Sequence, residues 1–128
     1  MTRRFRYYNP NPDGKFVGDC VVRAIAAACN LDWDTAYLYL AVQGWIIHDM
    51  PSANDVWGTY LSGQGFKRAV VPNTCPDCYT VNDFCEDHPE GVYVVATGTH
   101  VVAVIDGYYY DAWDSGNVIP TYYWERRA

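Results

Sequence analysis

Positive charge is what this chain has least of. Nine Lys and Arg stand against fifteen Asp and Glu, giving a formal net charge of -6 and a pI near 4.7. Such a surface repels a phosphate backbone and argues against nucleic acid as a partner. The few basic residues gather at the ends, Arg3, Arg4 and Arg6 at one and Arg126 and Arg127 at the other, and read as solvated termini. Long apolar runs are missing too. Nothing approaches the roughly 18 residues of a membrane span, and the charged start from Met1 to Tyr8 has no apolar stretch behind it. No membrane partner and no signal peptide are expected. Five cysteines is an odd number for a disulfide framework, so reduced thiols in a cytoplasmic protein are the expectation. There is no internal repeat and no low-complexity segment.

What is present is apolar and aromatic. Half of the 128 residues are hydrophobic and 16% are aromatic, the composition of a globular protein rather than a disordered one. A chain of this length has room for one domain, residues 1–128, in which roughly two thirds of the unfolded surface can be buried. The turn formers Asn9-Pro10-Asn11-Pro12-Asp13-Gly14 make residues 1–17 an extended arm.

Four helices are then predicted. CVVRAIAAAC, Cys20 to Cys29, is rich in Ala and apolar on almost every side, which suits a buried central helix, with Gly18 and Asp19 as its start signal. A second begins at an Asp32 cap, runs through Trp33, Ala36, Tyr37, Leu40 and Ala41, and is expected to stop at Gly44. A third follows Pro51 and Ser52, uses Val56, Trp57, Tyr60 and Leu61, and ends at Gly63 and Gly65. A short fourth runs from Thr80 to His88, with Thr80 and Asp83 at capping-box spacing. Beyond Gly91 the character turns to β: VYVVAT, HVVAVI, YYYDAW and TYYW read as strands, with Asp106-Gly107 as a two-residue hairpin turn. Helices first and an antiparallel sheet second is an α+β order.

Cys20 opens a helix, where free backbone N–H groups and the helix dipole favour a thiolate. His100 follows Gly98-Thr99 at a strand start, held by a regular element yet near a loop that substrate can reach. His48 between helices and His88 before Pro89 are less favourably set. Arg23, on the Cys20 helix, is read as the partner of a buried acid. Cys75, Cys78, Cys85 and His88 have zinc-compatible spacing. Against zinc, Cys85 and Phe84 read as the buried face of a helix, and Pro76-Asp77 as an ordinary turn, so no metal and no cofactor is expected. Tyr108, Tyr109, Tyr110, Tyr122, Tyr123 and Trp124 are read as core and cross-strand pairs before a peptide groove.

Cys at a helix start, His at a strand start and an acid on the next strand, in that chain order, resemble the papain-like cysteine proteases. HVVAVIDGYYYDAWDSG is similar to the His-bearing hairpin of that fold, and VGDCVVRAIA to its Cys helix in layout. The whole pattern also resembles compact papain-like proteins encoded by phages and other mobile elements of bacteria. The resemblance implies a papain-like fold and hydrolysis of a peptide or amide bond through Cys20, His100 and Asp111. His100 would be the base, Asp111 its orienting acid and Trp113 the shield of their hydrogen bond. It departs from the family in lacking Gly and Trp after the Cys, and in having Gly14 where a Gln completes the oxyanion hole. Asn11 or Asn9 is then the candidate side-chain donor.

Between Asp111 and Asp114 as the acid, the hairpin decides. With Asp106 and Gly107 at the tip, Ile105 pairs with Tyr108 and Val102 with Asp111, so Asp111 shares the face of His100 and Asp114 is left to its own turn. Two alternatives stay open, an inactive papain-like domain that binds a partner protein and a transglutaminase-like acyltransferase using the same residues.

Overall fold

The computed structural model describes residues 4–72 and 79–126. In chain order the elements are β1 (Phe5–Tyr7), α1 (Cys20–Ala28), α2 (Trp33–Ile47), α3 (Asn54–Gly63), β2 (Phe66–Val70), α4 (Val81–Asp87), β3 (Val92–Ala96), β4 (Val101–Ile105), β5 (Tyr108–Asp111) and β6 (Tyr122–Arg126). The strands form one sheet in the order β1-β5-β4-β3-β6-β2. The class is α+β, with four helices and a six-stranded mixed sheet among the described residues.

The four C-terminal strands form as their β-branched and aromatic composition dictates. The expected wholly antiparallel sheet is corrected at its edges. Residues 5–7 of the arm pair in parallel with β5, Phe5 opposite Tyr109 and Tyr7 opposite Asp111. At the other edge β2 lies antiparallel to β6. Both additions are short and rich in Lys and Arg, a composition suited to sheet edges and one that masks the strand signal in sequence. Arg6 lies over the Tyr108 ring at 3.9 Å and Arg68 over Tyr122 at 4.3 Å, so the cations are held by aromatic faces.

The sheet separates two apolar layers. On one face α1, α2 and α3 close over Val94, Ala96, Val101 and Ala103, with Ile25, Leu40, Trp57 and Leu61 fully buried. On the other, α4 sets Val81, Phe84 and Cys85 against Tyr93, Val95, Val102, Val104 and Tyr109. The tyrosine stripe follows suit: Tyr109 is buried in this core, and Tyr122 stacks on Trp57. Tyr122 and Trp124 also line an open groove of about 750 Å³ beside α3.

Local signals explain the helix ends. Asp32 accepts the Thr35 N–H at 2.7 Å, and Thr80 and Asp83 form the reciprocal capping box. Gly44 does not stop α2, which continues to Ile47 and ends at His48 in the left-handed conformation (φ 59°). The glycine answers a different constraint. The chain leaving α2 folds straight back, so that a Cβ on Gly44 would lie 2.6 Å from the Asp49 carbonyl oxygen. The helix is apolar around most of its circumference, leaving Leu38, Val42, Trp45 and Ile46 exposed. No helix among the described residues is long and apolar enough to cross a membrane.

Gly44→Ala is expected to cost about 1–3 kcal/mol, because backbone must move to admit the methyl group. Gly63→Ala, at an open site where a Cβ meets nothing within 4 Å, should be neutral or stabilise by up to about 1 kcal/mol. Urea denaturation of the two variants beside the wild type measures both.

Candidate functional site

Cys20, His100 and Asp111 come together at one end of the sheet. Cys20 is the first residue of α1. His100 directly precedes β4 and Asp111 is the last residue of β5. The hairpin joining the two strands sets their offset. Asp106 (φ 50°) and Gly107 (φ 82°) both take the left-handed conformation of a type I′ turn. The rungs run Ile105 to Tyr108, as expected, then Val104 to Tyr109 and Ala103 to Tyr110. Standing where their strands end, both side chains reach past the last rung to the first turn of α1.

The Asp111 side chain is about 1% exposed and all of its contacts are donors. Oδ1 accepts from Arg23 Nη2 at 3.0 Å and from the Ala112 N–H at 2.8 Å. Oδ2 accepts from the Ser115 hydroxyl at 2.5 Å and from His100 Nε2 at 2.6 Å. An ionised carboxylate only accepts, so Nε2 carries the proton in that bond and Nδ1 is left for the thiol. Asp114 is engaged in its own turn. It accepts from the Tyr109 hydroxyl and, at 3.1 Å, from the Gly116 N–H of its own turn.

Arg23, expected to meet a buried acid, meets two. It bridges Asp111 and Asp19, and Asp19 in turn accepts the Trp33 indole N–H at 2.8 Å. Asp19 is buried and does not cap α1, so among the described residues no side chain occupies the free N–H groups at that helix start. The involvement of Asp19 and Ser115 was not anticipated. For Asp19 a signal exists in its i,i+4 spacing to Arg23; for Ser115, inside an ordinary-looking turn, there is none.

The electrostatics follow from this packing. Burial by itself would raise the Cys20 thiol. The hydrogen bonds from the His100 ring and the Val101 N–H, with the charges of His100 and Arg23, outweigh it and hold the thiol below its usual range. Burial likewise disfavours the His100 imidazolium, yet the hydrogen bonds and charges of Asp111 and Cys20 raise it to about 9. Asp111 is lowered against its own burial, chiefly by His100 and Ser115. By contrast burial pushes Cys29 up to about 11 and Cys85 up to about 12. The Trp113 ring, itself half exposed, lies tilted against the His100 ring with 4.6 Å between centroids.

The arm is tied to this end of the sheet by the Tyr8 N–H, which donates to the Asp111 carbonyl at 2.7 Å. Asn9 donates its NH2 to the Lys15 carbonyl at 3.4 Å. The Asn11 side-chain oxygen accepts from Asp13 and Lys15 N–H groups, and its NH2 donates to no described residue. Of the other candidates, His48 is exposed at the end of α2. In the zinc-spaced set, Cys75 and Cys78 lie outside the described residues. Cys85 is buried in the α4 layer, while His88 donates from Nδ1 to the Phe84 carbonyl at 2.8 Å and stacks on the Phe84 ring. Among the described residues no group of three or more His, Cys, Asp or Glu is placed to hold a metal ion.

Arg23→Met is expected to cost about 3–5 kcal/mol, since it leaves two buried carboxylates without their shared cation; denaturation at pH 7 reads the loss. The His100 imidazole should titrate by NMR near 9 and fall toward 6.5 in Asp111→Asn. Its raised value contributes stability that is fully present below pH 6.5 and lost as pH rises through about 9. The lowered Cys20 thiol contributes in the opposite direction, so the effect is read in its absence: the stability of Cys20→Ser should decline over that window more steeply than that of Cys20→Ser with Asp111→Asn. Compared with protein-family models, with curated proteins and with solved structures, the chain matches none, so the geometry of Cys20, His100 and Asp111 is what its function is argued from.

Proposed function

We propose that this protein is a papain-like thiol hydrolase that cleaves a peptide or amide bond, with Cys20 as nucleophile, His100 as general acid and base, and Asp111 as the group that orients the imidazole. The observation that carries this reading is His100 held at Nε2 by a buried carboxylate while its ring bonds the thiol that opens α1. A lowered thiol beside a raised imidazole favours the thiolate–imidazolium pair between the two values.

The step balances with these residues alone. The Cys20 thiolate adds to the carbonyl carbon, and the oxyanion is met by the free N–H groups at the start of α1, with Asn11 or Asn9 of the arm as the candidate side-chain donor. The His100 imidazolium gives its proton to the leaving amine as the C–N bond breaks, which leaves a thioester. Water then attacks, His100 takes its proton, the C–S bond breaks and the carboxylate product departs. Trp113 keeps bulk water from the His100–Asp111 hydrogen bond. An amine in place of that water would give acyl transfer, and amine-dependent product formation separates the two outcomes.

A second reading, a papain-like domain that binds a partner protein without chemistry, is favoured by the apolar face of α2, where Trp45 is 75% exposed and Leu38 60% exposed.

The test is competitive alkylation near pH 6, read by mass spectrometry at each cysteine. An ordinary thiol of pKa about 8.5 is then under about 1% ionised. Cys20 should react first, and His100→Ala should slow it by about tenfold or more. Hydrolysis, once a substrate is found, should follow a bell-shaped pH profile whose basic limb lies near 9, where the imidazolium is lost. Faster labelling of Cys75 or Cys78 than of Cys20, or no effect of His100→Ala, removes the nucleophile and leaves the binding reading.

A further inference from the structure

α2, the longest of the described helices, turns an uncharged face to solvent. It buries Ala36, Leu40 and Gly44 against the core. With about 3.6 residues to the turn, the side directly opposite carries Leu38, Val42 and Trp45, flanked by Tyr39 and Ile46. These five are between 48% and 75% exposed. A whole aromatic side chain presents about 150–250 Å², so together they leave about 600 Å² of apolar surface in one patch. From Thr35 to His48 the chain has no Asp, Glu, Lys or Arg.

The face holds a recess as well as a ridge. Tyr39, Val42 and Gln43 form one wall of a groove of about 720 Å³, which Leu31 and Tyr60 close on the other side. Trp45 and Ile46 stand beyond it, toward the C-terminal end of α2. Tyr39 and Ile46 lie on the same flank, seven residues apart, which is about 10 Å along the axis. A two-fold axis crossing α2 at Val42, perpendicular to the helix, sets two copies antiparallel. Ile46 of each copy then meets Leu38 and Tyr39 of the other, at the mouth of the groove, so one surface supplies both halves of the fit. On the opposite flank of α2, Trp33 and Tyr37 wall a separate cavity of about 290 Å³ with Val17, Asp19 and Pro51.

We propose that the protein is a symmetric dimer in which α2 of one copy packs antiparallel on α2 of a second, about a two-fold axis at Val42. Stable interfaces bury about 800 Å² per partner, and the α2 patch supplies about three quarters of that before the groove walls at Leu31 and Tyr60 are added. Each copy carries a net charge of -6. Their mutual repulsion is weakest where the contact itself is free of charge, and α2 offers that contact. A lipid surface fits this face less well, because helices that lie among headgroups carry Lys and Arg on their polar side and α2 has neither. A foreign protein steered by charge finds no group there to pair with. The assembly is separate from the chemistry assigned to Cys20.

The test is sedimentation equilibrium of the full chain at about 1–100 μM. The wild type should reach twice the chain mass of 14.5 kDa, and the dimer should tighten as salt screens the like charges. Trp45→Asp, at an exposed position, should weaken association by about thirtyfold or more while the circular dichroism stays that of the wild type. Val42→Asp and Val42→Lys each set equal charges against one another at the axis, so each alone should be a monomer. Mixed one to one, they should recover a dimer about tenfold tighter or more than either variant forms alone. That recovery requires Val42 to face its own copy, which a contact between two different surfaces does not provide. A wild type that stays monomeric at about 100 μM overturns the dimer and gives the face to another partner. A dimer that salt dissociates, that Trp45→Asp leaves intact, or that the mixed Val42 variants do not recover overturns it as well. A monomeric wild type that binds phosphatidylcholine vesicles, and loses them in Trp45→Asp, overturns it in favour of a lipid surface.

Discussion

A carboxylate about 1% exposed is tolerated only when its lone pairs are used, and the donors that Asp111 collects come from three separate parts of the chain. Arg23 belongs to α1, His100 to the approach to β4, and Ser115 to the loop after β5. The cost of burying this charge is thus met by bringing one end of the sheet, the first turn of α1 and the following loop to a single point. The Tyr8 N–H, on the carbonyl of the same residue, adds the arm. Much of the architecture around the candidate site is the set of elements needed to keep that one anion satisfied.

The charges along this cluster alternate. Asp19, Arg23, Asp111, His100 and Cys20 form a row of negative, positive, negative, positive and negative groups once the thiol ionises. Each neighbour stabilises the next in a medium of low dielectric. That ordering is why the thiol falls and the imidazole rises, although burial opposes both. It also frees the start of α1. With Asp19 drawn to Arg23 and Trp33, the helix N-terminus carries no capping carboxylate that would compete with an anion beside Cys20. The same diversion leaves the neighbouring cavity apolar.

Much of this was legible in local pattern. The Asp106-Gly107 turn pinned the hairpin register, and because strand side chains alternate with a period of two, the register was enough to choose Asp111 over Asp114. The capping residues Asp32 and Thr80 marked two helix starts for the same reason: their hydrogen bonds close within a few residues. Gly44 was misread as a stop because the constraint on it comes from the returning backbone at Asp49, which no helical pattern encodes. The edge strands went unseen because Phe5–Tyr7 and Phe66–Val70 are too short and too basic to signal pairing by themselves.

By itself, then, the sequence determined the α+β class, the residues at the start of α1 and along the hairpin, and their order along the chain, since those rest on contacts between near neighbours. The tertiary structure decided what those residues meet. That Arg23, paired with Asp19 in its own helix turn, reaches Asp111 across 88 positions, that Ser115 bonds Asp111, and that Val17, Trp33, Tyr37 and Pro51 wall one cavity all depend on packing. Burial selects partners by distance in space, and separation along the chain carries no record of that distance.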